Sequence, residues 1–448
     1  MPFPDRTNSR RGTSRNQTQR GRFPLSLSRL TDPPYRIRYW GKYRLRPPGG
    51  KNASYASPSA AAAAGHCYFL GICLGRRIEI GILYSRSGNY RLLSESCRSG
   101  AMTAIADINA DPAIPIEFVP VERDPQGNID GYATGCADIL ANSSARHIIG
   151  CITSWSRKEV IPILERAGGT LWYACPYEGF EANEHVVYMH ACPNQHLVPL
   201  LAHVVPRFGA NGFLLGSNYI WGWETNRVAR DLIADAGGKV LGERYLPLGE
   251  VDVSRLIAEI QATRPEFVLN NLIGSSSYAF IAAYAELAKR DPHFRPERCP
   301  ILSCNLTECE LPALNDAGNG HLSVGPYFHD ISAADRQGDS APSIMPASSF
   351  EAAAYASVRT LAEILARNPG AQWPDLPQAF AGTSFRTPLG DISIDPQTQH
   401  ATLPVQIGRI EGTAFKTVTL TKGVAPDPYL SRYDRTETFG RPRLRVVS

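Results

Sequence analysis

The sequence predicts an α/β fold of two similar lobes, each built on a parallel sheet. From Ile78 onward, apolar runs of strand length alternate with segments of helical periodicity. The alternation runs through twice, from Ile78 to His190 and from Leu197 to Ser303, without visible repetition of sequence. Strand runs end in turn-forming clusters such as Ser85-Arg86-Ser87-Gly88 and Gly274-Ser275-Ser276-Ser277. Strands that alternate with helices pair in parallel through right-handed crossovers.

The first series opens with a strand at Ile78–Tyr84 and a helix over Ser94–Ala110, where Ala101, Ala104, Ile105 and Ile108 share one face. A strand at Ile114–Val121, the turn Asp124-Pro125-Gln126-Gly127 and a helix over Ile129–Ala141 follow. Then come strand His147–Cys151, helix Lys158–Ala167, and strands Thr170–Tyr173 and His185–His190. The second series runs helix Leu197–Phe208, strand Gly212–Gly216, helix Asn226–Ala236, strand Val240–Tyr245 and helix Val253–Thr263. It ends with strand Phe267–Ile273, helix Ser277–Arg290 and strand Pro300–Ser303. A helix over Ser348–Asn368 and a β-like tail over Gly390–Val418 remain to cross back and complete each lobe.

Composition narrows the function. Of 46 Lys and Arg and 42 Asp and Glu, residues 1–77 hold 15 and two, which leaves the rest with 31 against 40, a net −9. A mildly acidic body argues against direct nucleic-acid binding, which needs clustered cations. Residues 1–77, rich in Arg, Ser, Pro and Gly, are expected to be a basic disordered extension. Its apolar stretch Ala60–Gly75 lies too far in for a secretory leader. No later apolar run approaches the ~18 residues of a transmembrane helix, so no membrane insertion is expected. The ten cysteines form no CxxC pair, and Cys299, Cys304 and Cys309 match no zinc spacing, so neither a metal nor a cofactor is expected. Scattered cysteines suit a reducing compartment, and the expected location is the cytoplasm, with the periplasm as the alternative.

The block from Cys151 to Glu181 carries the most chemistry. A hydroxyl-rich turn (Thr153, Ser154, Ser156) follows one strand, and Tyr173-Ala174-Cys175-Pro176 ends the next. Ligands bind outside the carboxyl ends of strands in such sheets. No G-x-S-x-G elbow, no H-E-x-x-H and no P-loop lysine after Ser275–Ser277 accompany these groups, so the reading is a binding site and not an enzyme. Ser154 can also cap the following helix. Glu178 and Glu181 read as structural.

From Ile78 to Tyr433 the chain resembles the type I periplasmic-binding-protein superfamily, the leucine/isoleucine/valine-binding branch. The segments that carry the resemblance are Ile80–Ser87, the Gly150-to-Glu181 block with its Pro-Tyr-Glu-Gly-Phe-Glu, Pro193-Asn194-Gln195, Gly216-Ser217-Asn218-Tyr219-Ile220, Tyr245-Leu246-Pro247-Leu248 and Pro426-Asp427-Pro428-Tyr429. Within the branch it is most similar to amide-binding negative regulators of aliphatic amidase operons and to urea and short-chain-amide transporter receptors. The resemblance implies two Rossmann-like lobes in a Venus-flytrap arrangement. It implies a first lobe at 78–195, a second at 196–322, a crossover back to the first at 323–382, strands completing the second at 383–433, and a tail at 434–448.

The same resemblance implies ligand-binding positions at Ser154, Tyr173, Cys175, Pro176, Tyr219, Trp221 and Asn305. Cys175 departs from the family's usual Thr, and Asn305-Leu306-Thr307 replaces a hydroxyl-rich run. A neutral amide needs an acceptor for its NH2, a donor for its carbonyl and an apolar wall, and this set offers all three. The implied function is a sensor of a short-chain aliphatic amide or urea-like ligand that regulates amidase expression through an antiterminator partner. The alternative is the substrate-binding component of an ABC transporter, with a permease as partner, for urea, amides or branched-chain amino acids. Homo-oligomers fit either role.

Overall fold

Residues 75–329, 342–370 and 375–440 are described by the computed structural model. The expected extension at 1–77 therefore lies outside the described residues, except that the first strand already begins at Arg76. That strand, β1 (Arg76–Leu83), buries all of its last four residues, as a parallel strand covered on both faces must. It is followed by α1 (Arg91–Ala110), β2 (Ile116–Arg123), α2 (Ile129–Asn142), β3 (His147–Gly150), α3 (Ser154–Ala167), β4 (Thr170–Tyr173) and β5 (Val186–Tyr188). The sheet order is β2-β1-β3-β4-β5, with every pair parallel. The chain leaves β1 for β2 on one side and returns to β3 on the other. The loops after β1 and β3 thus diverge and open a crevice at their carboxyl ends.

The second lobe repeats the device. After α4 (Leu197–Phe208) come β6 (Gly212–Ser217), α5 (Ile220–Asp235), β7 (Val240–Leu246), α6 (Ser254–Thr263), β8 (Phe267–Asn271), α7 (Ser275–Arg290), β9 (Ile301–Ser303) and β10 (Leu322–Gly325). Here the switch lies between β6 and β8, and β7 and β9 flank them. The two lobes are α/β units on parallel sheets, as the alternation predicts.

Helix starts differ from the sequence expectation. The helix expected from Lys158 begins at Ser154, and the one expected from Asn226 begins at Ile220. Hydroxyl and aromatic residues in these first turns are weak helix formers, so periodicity understates them. Thr153, not Ser154, caps α3: its Oγ1 accepts from Ser156 N at 2.9 Å, and Ser156 Oγ accepts from Thr153 N at 3.1 Å. At the start of α5, a Cβ on Gly222 would lie 2.2 Å from Ser217 O, so only glycine lets this turn fold onto the end of β6.

The long helix α8 (Ser349–Arg367) returns to the first lobe and packs on α1, burying residues almost all round. The hairpin β11 (Ser384–Thr387) and β12 (Gly390–Ser393) departs from the domain expectation for 383–433. Its Phe385 and Ile392 join the first lobe's core, and Tyr188 bridges His400 with their rings 4.0 Å apart. Only β13 (Leu403–Glu411) and β14 (Ala414–Val424) extend the second sheet, both antiparallel. The apolar residues of the hairpin are equally suited to either core, and nothing local selects one. Among the described residues no helix is long and apolar enough to cross a membrane.

The α1–α8 contact has no slack. A Cβ on Gly100 would stand 2.1 Å from Glu351 O, a backbone atom that cannot swing away. Gly100→Ala is therefore expected to lower stability by about 1–3 kcal/mol. Urea denaturation should show this as a lower midpoint with an unchanged slope.

Candidate functional site

The carboxyl ends of the two switch-point strand pairs face each other and enclose one cavity. Ile152, Thr153 and Ser154 follow β3, and Tyr173, Cys175 and Pro176 end β4. From the second lobe come Tyr219 and Trp221 at the start of α5, Ile273 after β8 and Asn305 after β9. Tyr90 and Leu93 at the start of α1 and Phe350 at the start of α8 complete the wall. All seven positions named from the sequence therefore line the same space, and all are buried. The cavity is narrow: about 20 Å³, by the measure on which one water needs roughly 10–15 Å³. Two depressions of about 620 Å³ lie elsewhere on the surface and draw no residue from these strand ends.

The wall is neutral and mostly apolar. Its lining includes no Asp, Glu, Lys, Arg or His. Glu308, close in sequence to Asn305, turns away: its oxygens accept from Thr307 Oγ1 at 2.8 Å and His329 N at 2.8 Å. Burial holds Tyr173 and Tyr219 as neutral phenols, with ionisation pushed far up, and raises the Cys175 thiol likewise. Cys175 Sγ donates to Cys151 O at 3.6 Å, so the residue that departs from Thr faces a carbonyl of its own lobe. The cysteines among the described residues are all free.

One buried polar group in this wall, Trp221 Nε1, has no hydrogen-bond partner. The Tyr90 hydroxyl lies by that of Tyr219, which partly offsets the upward push that burial gives its pKa. The nearby His196 ring, 5.9 Å from Trp221, uses Nε2 on Tyr177 O at 3.0 Å, and burial lowers its pKa to about 4. Buried polar atoms are almost always paired, and both this indole N–H and Nδ1 of the adjacent His196 have no partner. Tyr90 and Tyr219 meet edge to face across the lobes, 6.4 Å between centroids.

Behind the wall a buried ionic cluster fixes the first lobe's contribution. Arg157 on α3 is fully buried; its Nη2 donates to Glu178 Oε1 at 3.1 Å and its Nε to Glu181 Oε1 at 2.7 Å. Its guanidinium lies 4.8 Å from the Tyr173 ring centroid and 4.9 Å from that of Tyr177. Tyr188 Oη donates to Glu181 Oε1 at 2.8 Å, and Lys158 caps the outer oxygen. Ser154 donates its hydroxyl to Glu178 Oε2. Glu178 and Glu181 are structural, as the sequence suggests, but Glu178 is also one bond from the cavity.

Sequence reasoning missed Tyr90, Leu93, Ile152, Ile273 and Phe350, and named Thr153 only as part of the turn. Tyr90 and Ile273 follow β1 and β8, so the strand-end rule that found Ser154 and Tyr219 reaches them too. Phe350 arrives through the crossover, and no local pattern marks it.

With this geometry in hand, comparison with known proteins adds the family. A model of the periplasmic binding protein domain matches residues 78–435. Among solved structures, a solute-binding protein of an ABC transporter from R. palustris, in complex with 4-hydroxybenzoate, superposes with TM-score 0.66 at 21% identity over 80% of this chain and 100% of that one. An amino acid ABC transporter substrate-binding protein from Pseudomonas fluorescens Pf-5 gives TM-score 0.63 at 17% identity, over 79% and 98%. A leucine binding protein from Thermotoga maritima gives 0.65 at 13% identity, over 77% and 99%. At these identities the likeness is one of fold.

Two outcomes follow from the ionic cluster. Arg157→Ala leaves the buried Glu178 carboxylate without its cation and Glu181 with Lys158 alone, and is expected to cost about 3–5 kcal/mol in denaturation experiments. Burial alone would raise the Glu181 pKa, but the charges and hydrogen bonds of Arg157 and Lys158 outweigh it and lower it from 4.5 to about 2. The stability this gives is present above about 4.5 and is lost as pH falls towards about 2. The denaturation midpoint should therefore fall more steeply across that window in the wild type than in Glu181→Gln.

Proposed function

The chain belongs to the periplasmic binding protein family, and on that premise we propose that it is a two-lobe receptor for a short-chain aliphatic amide or urea-like solute. The observation that carries this reading is the neutral, narrow cavity lined by Trp221, whose indole N–H is unpartnered, from one lobe and by Ser154 from the other. A free amino acid brings an ammonium and a carboxylate, and the lining holds no charge to match either. The space of about 20 Å³ holds little more than one water by the measure on which a water needs roughly 10–15 Å³, so any solute needs the walls to move apart, and a small amide needs less of that movement than a benzoate-sized ring. Tyr173, Pro176 and Phe350 supply the apolar wall for an alkyl end.

The role that the related proteins favour is transport. Relatives of this fold are named as ABC-transporter solute receptors, and we read the chain as a receptor of that kind, with a permease as partner. That role places it outside the cytoplasm, against the cytoplasmic expectation drawn from its cysteines. The second reading, an amide-responsive regulator acting through an antiterminator, is favoured by the Pro176–Glu181 motif and by the unpaired buried cysteines. In either role the solute shifts the lobes towards closure only by its higher affinity for the closed state.

Calorimetric titration with acetamide, butyramide, urea, leucine and 4-hydroxybenzoate tests the ligand class. An amide or urea is expected to bind, and Ser154→Ala and Trp221→Phe should each weaken it about tenfold, the loss of one hydrogen bond to a buried group. Binding of leucine or 4-hydroxybenzoate alone would refute the amide reading.

A further inference from the structure

We propose that Glu178 sets the hydrogen-bonding polarity of the cavity: by holding the Ser154 proton, it leaves Ser154 Oγ able only to accept, so the ligand must present an N–H there. The inference rests on the cavity being the ligand site. Glu178 itself does not line the cavity and acts as a positioning residue through Ser154.

A serine hydroxyl has one proton and two lone pairs, and a carboxylate only accepts. Ser154 donates to Glu178 Oε2, while Glu178 Oε1 accepts from Arg157 Nη2 at 3.1 Å. Both side chains are nearly sealed from solvent, at 2% and 3% exposure, so no water competes for that proton. Nor is the hydroxyl needed for capping, since Thr153 caps α3. What Ser154 offers the cavity is therefore lone pairs. In the second lobe's part of the wall, the indole of Trp221 has a proton and no lone pair to offer, and it is unbonded. Ser154 thus accepts and Trp221 donates. A primary amide or urea matches both with its NH2 and its carbonyl. A carboxylate of the same size sets an oxygen against the Ser154 lone pairs.

The chemistry of Glu178→Gln makes this testable. Arg157 needs an acceptor, so it keeps the Gln oxygen, and the Gln NH2 turns towards Ser154. Ser154 must then accept from Gln, and its proton swings into the cavity. The site's polarity reverses there with almost no change of shape.

The test is calorimetric titration of the full chain with matched pairs, acetamide against acetate and propionamide against propionate. The wild type is expected to favour the amide. Glu178→Gln should move the amide-to-carboxylate ratio at least about tenfold towards the carboxylate. In a Ser154→Ala background the same change should move it hardly at all. If Glu178→Gln does not fold, Ser154→Ala alone carries the test, and must narrow the amide preference about tenfold by removing the lone pairs that repel a carboxylate. An unchanged ratio in Glu178→Gln, a shift that persists without Ser154, or an unchanged ratio in Ser154→Ala where that variant carries the test would overturn this inference and leave the amide reading standing. A wild type that prefers the carboxylate, or binds neither, overturns both.

Discussion

The first lobe's half of the site depends on one buried cation. Arg157 is fully buried on α3 and joins the segment after β4, through Glu178 and Glu181, to the rings of Tyr173 and Tyr177. A buried guanidinium is tolerated only when its charge is matched, and here two carboxylates pair it through Nε and Nη2 and two aromatic faces cover it, while Nη1 has no hydrogen-bond partner. The consequence is positional. Ser154 lies one turn before Arg157 on α3, and Glu178 lies two residues past Pro176, so satisfying the cation brings the ends of β3 and β4 into fixed register. The residues that line the cavity are thereby held by groups that do not touch it. In this way the Pro-Tyr-Glu-Gly-Phe-Glu run serves the site without lining it beyond Pro176.

The second lobe supplies its share differently. No ion pair holds Tyr219 and Trp221; the sharp turn at the end of β6 does, and Gly222 is the residue that lets it close. The two halves thus bring differently supported groups, Ser154 backed by a salt-bridge network and Trp221 carried on a helix start. Because the strands order themselves outward from a switch point in each sheet, these parts face one another by topology, and the side chains set only the chemistry.

Much of this was legible in the sequence. Period and turn chemistry foretell the alternating elements, because each parallel strand must be apolar throughout and each helix apolar on one face. The strand-end rule and the family resemblance together point to Ser154, Tyr173, Cys175, Pro176, Tyr219, Trp221 and Asn305, and these seven meet because every one follows a strand's carboxyl end. Three things were not legible. The starts of α3 and α5 are set by capping and by a close backbone approach, neither of which alters hydrophobic period. The hairpin at Ser384–Ser393 joins the first lobe by packing on α8, whose own return to that lobe no local pattern marks. And the contact of Glu178 with Ser154 depends on a side-chain direction that spacing does not encode.

The central claim is that the cavity accepts from the ligand at Ser154 and donates to it at Trp221. The most direct measurement is a crystal structure with thioacetamide, whose sulfur marks the carbonyl end by anomalous scattering. An oxygen and a nitrogen could not be told apart in the same map. The account predicts the sulfur beside Trp221 Nε1 and the ligand nitrogen within hydrogen-bond distance of Ser154 Oγ. Sulfur beside Ser154, or a ligand bound outside this cavity, would contradict it.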